Sequence, residues 1–395
     1  MSARPQIAIV GAGIGGITVA VLLQQAGYDC RVYEQAPQFR RVGAGINLAP
    51  NSTRVFRAMG VLAKLLGVGV QPRMKFNREW DSGRVLQTIA TQELTTLYGA
   101  PFVGVHRGDL HDVLASAVAS GTFHLGKRFV GLETRGSQVR LAFEDGTSAL
   151  ADAVIGADGL HSQVRAAIID ATPPVYYGHV AYRSIFPRSR LPDLDIADNT
   201  RWLAPDRYLL VYFMSEARDE FYVVTGGPEP WDSDDFTPIA VDPARLRAAF
   251  AGFHPDVQRM LDKCEGVSRW PMLVRPPSRP WCAGRVALLG DACHATTPHM
   301  GQGGGMAVED AAMLVRCLQY TDGDVASAFR LYESNRFART SRLKRDSEAD
   351  EWGHGKIEHQ WLYGYEVLRA PIEPLPSENG SSVSPSDTPR PTEKF

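Results

Sequence analysis

An acid, two histidines and a run of glycines share one stretch, Arg285 to Asp310, which reads RVALLGDACHATTPHMGQGGGMAVED. Asp291 follows a short apolar run, a position from which a carboxylate can grip a sugar hydroxyl. His294 and His299 bring imidazoles, which can take or release a proton near neutral pH. The glycine turn, with Pro298 before it and Gly301, Gly303 and Gly304 within it, leaves bare amides where an apolar helix is expected to open near Met306. Such a helix start steadies negative charge. One element could thus hold a cofactor's sugar, its charged ring and a neighbouring titratable side chain.

These groups need strands to carry them. Val286 to Leu289 reads as a buried strand that delivers Asp291. A second such unit stands at the N-terminus: the β-rich run Gln6 to Val10, then Gly11-Ala12-Gly13-Ile14-Gly15-Gly16, a helical pattern over Ile17 to Ala26, and a strand Asp29 to Tyr33 ending at Glu34. This order makes a βαβ nucleotide fingerprint, with an acid about twenty residues past the glycines. Gly11 permits the tight turn, Gly13 the approach of a pyrophosphate and Gly16 close helix packing, while Glu34 can accept from a ribose. A third unit, ADAVIGADGLHSQVR, sets Asp158 and Gly159 directly after an apolar strand. Asp158 there can order a loop, bind a sugar or simply cap a turn.

Between these units, Arg40 and Arg41 precede a glycine-rich segment and can neutralise a pyrophosphate or sit in a solvated turn, and Ser52 to Leu66 reads as one helix. Arg107 opens a further helix facing the cofactor, with Asp109 as its cap and His106 and His111 structural. Residues 175–271 are richer in aromatics and short strands. In the strand Tyr208 to Met214, the period of two places Tyr208, Leu210, Tyr212 and Met214 on one face, opposite Leu209, Val211 and Phe213. Asp324 to Arg345 reads as a charged amphipathic helix.

A chain of 395 residues with a net charge of −2 has no general attraction for nucleic acid or anionic membrane, so a small-molecule partner is expected. Five cysteines without a CxxC pair suggest neither a disulfide framework nor a zinc site, and no metal is expected. With no signal-peptide pattern and no long uncharged apolar run, the expected location is cytoplasmic.

GAGIGG with Glu34, the Asp158-Gly159 strand end and Gly290-Asp291 together resemble the single-component FAD-dependent aromatic hydroxylases over nearly the whole chain to about Arg345. GAGINLAPN, HRGDL, VIGADGLHSQVR and GDACHATTPHMGQGGGMAVEDA are most similar to the salicylate and 6-hydroxynicotinate hydroxylase branch. The resemblance implies a Rossmann-like α/β FAD-binding domain of the p-hydroxybenzoate hydroxylase type, with an inserted α+β substrate domain on a mainly antiparallel sheet. On this reading residues 1–75, 100–174 and 272–345 form the FAD domain, and 76–99 and 175–271 the substrate domain. Residues 346–370 would be a C-terminal helix and 371–395 a disordered tail.

The implied reaction is hydroxylation of a small phenolic or hydroxypyridine ring, carboxylated, with NADH or NADPH and O2, through a flavin C4a-hydroperoxide and with or without loss of the carboxylate. Gly11, Gly13, Gly15, Gly16 and Glu34 would hold the ADP half, with Arg41 and Arg107 near the pyrophosphate. Asp158 and Asp291 would hold further parts of the cofactor, and Pro298, Gly301, Gly303 and Gly304 would lie against its ring. His299 would be the base, with Tyr212 assisting at the substrate. Asn47, Tyr208 and Asn199 depart from the residues of the 6-hydroxynicotinate branch, and Met300 from the usual glutamine of the salicylate branch, so a related ring is expected. No nucleic acid or membrane partner is expected, and the assembly is a monomer or homodimer. The competing readings are an NAD-dependent dehydrogenase and a flavin-binding protein without hydroxylase activity.

Overall fold

A computed structural model describes residues 4–41, 44–349 and 358–375. Its first sheet has six strands in the order Cys282–Ala283, Val286–Leu288, Ala153–Gly156, Ile7–Val10, Cys30–Glu34 and Phe123–Leu125. All neighbours are parallel except the first pair, which is antiparallel. A parallel sheet covered on both faces needs continuous apolar strands, and every residue of Ile7–Val10 and Ala153–Gly156 is buried. The register pairs Val10 with Gly156 and Gly156 with Leu288. Three strands far apart in sequence therefore end side by side, bringing their glycine- and acid-bearing turns to one edge of the sheet, where ligands of such folds bind.

The second sheet has eight strands: Ile239–Ala240, Ser268–Val274, Val175–Pro187, Glu220–Pro228, Tyr208–Phe213, Asn199–Leu203, Met74–Glu79 and Val85–Ala90. It is antiparallel but for the parallel pair Asn199–Leu203 and Met74–Glu79. Its faces divide as the alternation predicts. Leu209, Val211 and Phe213 pack into an apolar core with Trp202 and Phe221, while Tyr208, Leu210 and Tyr212 join Leu203 and Tyr222 on the other side. Burial of each large apolar side chain contributes ~1.5–3 kcal/mol, which opposes any one-residue slip of register.

Between the sheets, the ladder of Gly45–Leu48 and Val103–His106 lies against the tyrosine face. Its glycines are required by contact: a Cβ on Gly45 would stand 2.5 Å from the Tyr212 hydroxyl, and one on Gly104 would stand 2.8 Å from the Phe213 carbonyl.

Three helices differ from expectation. The single helix expected over Ser52–Leu66 is two, Pro50–Ala58 and Leu62–Val68, because the chain turns at Gly60 with φ +78°. The helix after the glycine turn begins at Gly303 rather than Met306, since φ is ordinary at Gly303 and only Gly301 is left-handed, at +63°. The C-terminal helix expected over 346–370 is not continuous. The helix Val325–Glu348, capped by Asp324 accepting from the Ser327 amide, reaches Glu348, and a five-residue helix, His359–Tyr363, stops at Gly364. Residues 350–357 and 376–395 lie outside the described residues, and with them most of the expected tail.

The charged helix also behaves differently from a solvated one. Arg336 and Arg339 turn inward onto Gly303–Tyr320, where Glu309 accepts from Arg336 at 2.7 Å and from Arg339 at 2.7 and 2.9 Å. Asp310 accepts from Arg336 at 2.7 Å. The five cysteines are free thiols, and no helix among the described residues is long and apolar enough to cross a membrane.

Candidate active site

The first turn is held by its own acid. Glu34 accepts from the amides of Ala12 at 2.8 Å and Ala36 at 2.9 Å, which pins the glycine loop to the end of the second strand. A Cβ on Gly16 would lie 2.0 Å from the Gly11 carbonyl and one on Gly15 2.5 Å from Leu289, so these two glycines serve packing of the helix. Gly13, its N-cap, is different: a Cβ there meets nothing within 4 Å. It borders a cavity of about 580 Å³ together with Gly11, Glu34, Arg107 and Asp158. Bare backbone facing an open cavity at a helix start, with cations around it, suits the diphosphate of a dinucleotide such as FAD. Lys127 and Arg128 add positive charge to the same cavity, and nothing in the glycine pattern pointed to them.

Asp158 is committed mainly to its own loop, accepting from Ser162 Oγ at 2.5 Å and from the amides of Gln163 and Val164 at 2.8 and 3.0 Å. Burial raises its pKa against those hydrogen bonds. Arg41 is not among the residues bordering the cavity; it pairs with Asp109 at 2.6 Å. Asp109 therefore does not cap its helix, a task that falls to His106, whose ring accepts from the Gly108 amide at 3.1 Å. His111 bonds the Ala12 carbonyl at 2.8 Å and so braces the glycine loop.

Asp291 begins the short helix Asp291–His294. It is exposed yet sits deep in the protein, as a side chain facing a cleft does, and the surrounding protein raises its pKa while His294 and Arg107 oppose that. Pro298 and Gly301 are likewise exposed, and Gly303 and Gly304 partly so. Gly304 packs near Ile46, where a Cβ would come within 3.1 Å, and this sets the glycine turn beside the strand that carries Asn47.

Behind the turn, His294 Nε2 lies 2.5 Å from Asp310 Oδ2. Burial works against its protonation, but Asp310 and Cys293 outweigh burial and raise its pKa well above the usual value. Cys293, His294 and Asp310 could hold a metal by their spacing, but Asp310 is already charge-paired with Arg336.

His299 is 1% exposed and lies against the tyrosine face of the eight-stranded sheet. Its ring is 5.8 Å from those of Tyr208 and His179 and 6.2 Å from that of Tyr177. Arg201 Nη2 donates to the His299 carbonyl at 3.4 Å. The near-neutral titration expected of this histidine does not hold: burial, then His179 and Arg201, lower its pKa to about 3. Tyr212, buried beside Tyr222 at a ring distance of 5.1 Å, has its pKa raised well above 10 by burial, so its hydroxyl stays protonated. Two of the departing positions touch, Asn199 Nδ2 donating to Asn47 Oδ1 at 3.3 Å, and the third, Tyr208, packs on His299. Tyr177, His179 and Arg201 were not singled out in the sequence; strand alternation alone could have placed Arg201 beside Asn199, on the face opposite Trp202.

With this geometry in place, comparison with known proteins is informative. Residues 4–347 match the family described as FAD binding domain. A 6-hydroxynicotinate 3-monooxygenase of Bordetella bronchiseptica is 42% identical over 379 residues, covering 94% of this chain and 98% of the relative. A 3-amino-4-hydroxybenzoate 2-monooxygenase of Streptomyces cremeus is 39% identical, covering 86% of this chain and 85% of its own. The crystal structure of Klebsiella pneumoniae HpxO complexed with FAD and uric acid superposes with a TM-score of 0.78 at 30% identity, covering 91% of each chain. The three converging strand ends, the open Gly13 cradle and these matches lead to one conclusion: the chain belongs to the FAD-binding domain family, within its aromatic hydroxylase branch.

Proposed function

We propose that this protein is an FAD-dependent monooxygenase that hydroxylates a small phenolic or hydroxypyridine ring bearing a carboxylate, with NADH or NADPH as electron donor and O2 as oxygen source. One juxtaposition carries the reading. His299 sits on the segment that joins Asp291 to the glycine turn, and its ring also meets Tyr208 of the second sheet at 5.8 Å. The names of the two relatives each denote a hydroxylated ring with a carboxylate. A dehydrogenase would have no use for the second and third acid-bearing strand ends. The six-stranded sheet and its loops then form the cofactor part, and the eight-stranded sheet the substrate part.

When bound, FAD would pass electrons from the nicotinamide donor to O2 and deliver one oxygen atom to the ring. Gly11, Gly13, Glu34, Arg107, Asp158 and Asp291 would hold it, with Pro298, Gly301, Gly303 and Gly304 along its ring. The chain's own task is to prepare the ring for attack, since an oxyanion on the ring makes it more electron-rich. In the empty site His299 is neutral but a weak base; it would take the phenolic proton through a ring nitrogen only as the resulting imidazolium pairs with the substrate's own oxyanion, whose charge opposes that of His179 and Arg201. Arg201 contributes to holding His299 neutral, and its charge would also favour an oxyanion on the substrate. Tyr212, held protonated, donates a hydrogen bond to that oxyanion. Burial of His299 and the tyrosine face keeps water from the reacting atoms.

The test is direct. Purified protein should be yellow, and NAD(P)H oxidation should rise when a hydroxynicotinate, aminohydroxybenzoate or salicylate is added, with a product heavier by one oxygen unless carboxylate is lost. Colourless protein after FAD supplementation, or oxidation that no hydroxylated aromatic stimulates, would remove the proposal.

A further inference from the structure

One face of the eight-stranded sheet carries cations that no acid answers among the described residues. The register pairs Lys75 with Asn199, and Asn199 with Tyr212, so Lys75, Asn199 and Arg201 share the face of Tyr208 and Tyr212. Lys75 Nζ stands 4.4 Å from the centre of the Phe102 ring, and the Arg201 guanidinium 5.2 Å from that of Tyr208. Tyr363, of the short C-terminal helix, packs on Phe102 at 5.0 Å and acts electrostatically on Arg201. Arg201 thus stands beside His299, and Lys75, close enough to feel the charge of Arg201, stands against Phe102 on the same face. Both are partly exposed there although deep in the protein, as side chains facing a cleft are.

Among the described residues, no carboxylate lies within 4.0 Å of either. Lys75 makes no hydrogen bond among those residues, and of the five donors of Arg201 one is used, weakly, at 3.4 Å to the His299 carbonyl. Other buried cations are satisfied, Arg336 and Arg339 by Glu309 and Arg275 by the Leu160 and Thr172 carbonyls. Two like charges in a partly dry space repel: burial first, then Arg201, lowers Lys75 to about 8. An anionic guest would relieve both.

We infer that Lys75 and Arg201 hold the carboxylate of the aromatic substrate, which fixes its ring beside His299. The inference rests on the hydroxylase reading and names the substrate group that the site selects. The guanidinium fork suits a carboxylate's two oxygens, and the ammonium adds a point charge.

Calorimetric titration of the holoenzyme with benzoate and with benzamide, an uncharged probe of similar shape, tests it. Wild-type protein should prefer benzoate. Arg201→Gln should weaken benzoate binding about 10- to 100-fold with little change for benzamide, as expected for loss of a charged hydrogen bond. Lys75→Met should act in the same direction less strongly, and Arg201→Lys should recover part of the preference. Equal weakening of both probes, or benzoate binding indifferent to both substitutions, overturns the inference. If benzoate is preferred in an Arg201-dependent way while no aromatic is ever hydroxylated, the carboxylate site stands and the hydroxylase reading falls.

Discussion

Replacing His299 with asparagine should alter stability by an amount that depends on pH, in a direction fixed by the site. Burial, with His179 and Arg201 adding to it, holds the folded pKa of His299 at about 3. In the unfolded chain the same imidazole takes its proton at about pH 6.5. Below pH 6.5 the unfolded chain therefore binds more protons than the folded one, and stability must fall with falling pH. The slope is about 1.36 kcal/mol per unit, so the loss reaches about 2 kcal/mol at pH 5 and approaches about 5 kcal/mol near pH 3. Asparagine carries no such loss. Whatever the substitution costs at pH 7.5, the gap between wild type and His299→Asn should shrink by about 2 kcal/mol at pH 5. Equilibrium urea unfolding at the two pH values, at the same saturating FAD, measures this gap. A gap that does not move with pH means that His299 protonates freely in the folded site, and the electrostatic account of the base is then wrong.

The opposite sign is expected at His294, whose pKa is raised. Its pairing with Asp310 stabilises fully below pH 6.5 and fades as pH rises through the folded value, so the gap between wild type and His294→Gln should narrow in alkali, measured the same way. Glu309→Gln leaves Arg336 and Arg339 short of a buried partner and should cost about 3–5 kcal/mol of unfolding free energy; a loss under about 1 kcal/mol would show the network to be dispensable. Gly13→Val should fold, because its side chain enters open space, yet lose flavin; Gly16→Val should fail to fold, because its Cβ meets the Gly11 carbonyl at 2.0 Å. Far-UV circular dichroism and the flavin absorbance ratio separate the two outcomes, and flavin-replete Gly13→Val would contradict the cradle.

Much of the cofactor half was legible in the chain because its signals are local. A strand, a glycine turn, a helix and an acid about twenty residues on must follow one another for the βαβ unit to close, so order and spacing carry the information. The same holds for the period of two in Tyr208–Phe213, which sorted its side chains between the two faces before any partner strand was known. Where local signals were ambiguous, the sequence decided less: the helix expected over Ser52–Leu66 is interrupted at Gly60, and Arg41, open to two readings, pairs with Asp109. The charged amphipathic pattern over Asp324 to Arg345 does not show which charges are buried: Arg336 and Arg339 pair with Glu309 of the neighbouring helix.

The sequence by itself determined that two kinds of element exist, that three strand ends bear acids or glycines, and that His299 stands next to the last glycine turn. Tertiary structure alone decided what His299 faces. His179 on one strand, Arg201 and Tyr208 on a hairpin of the same sheet, and His299 on the glycine segment about a hundred residues on are separate in the chain, and strand order and crossover brought them together. The physical reason is that an imidazole's proton affinity is set by the charges and dielectric around it, and those belong to neighbours in space rather than in sequence.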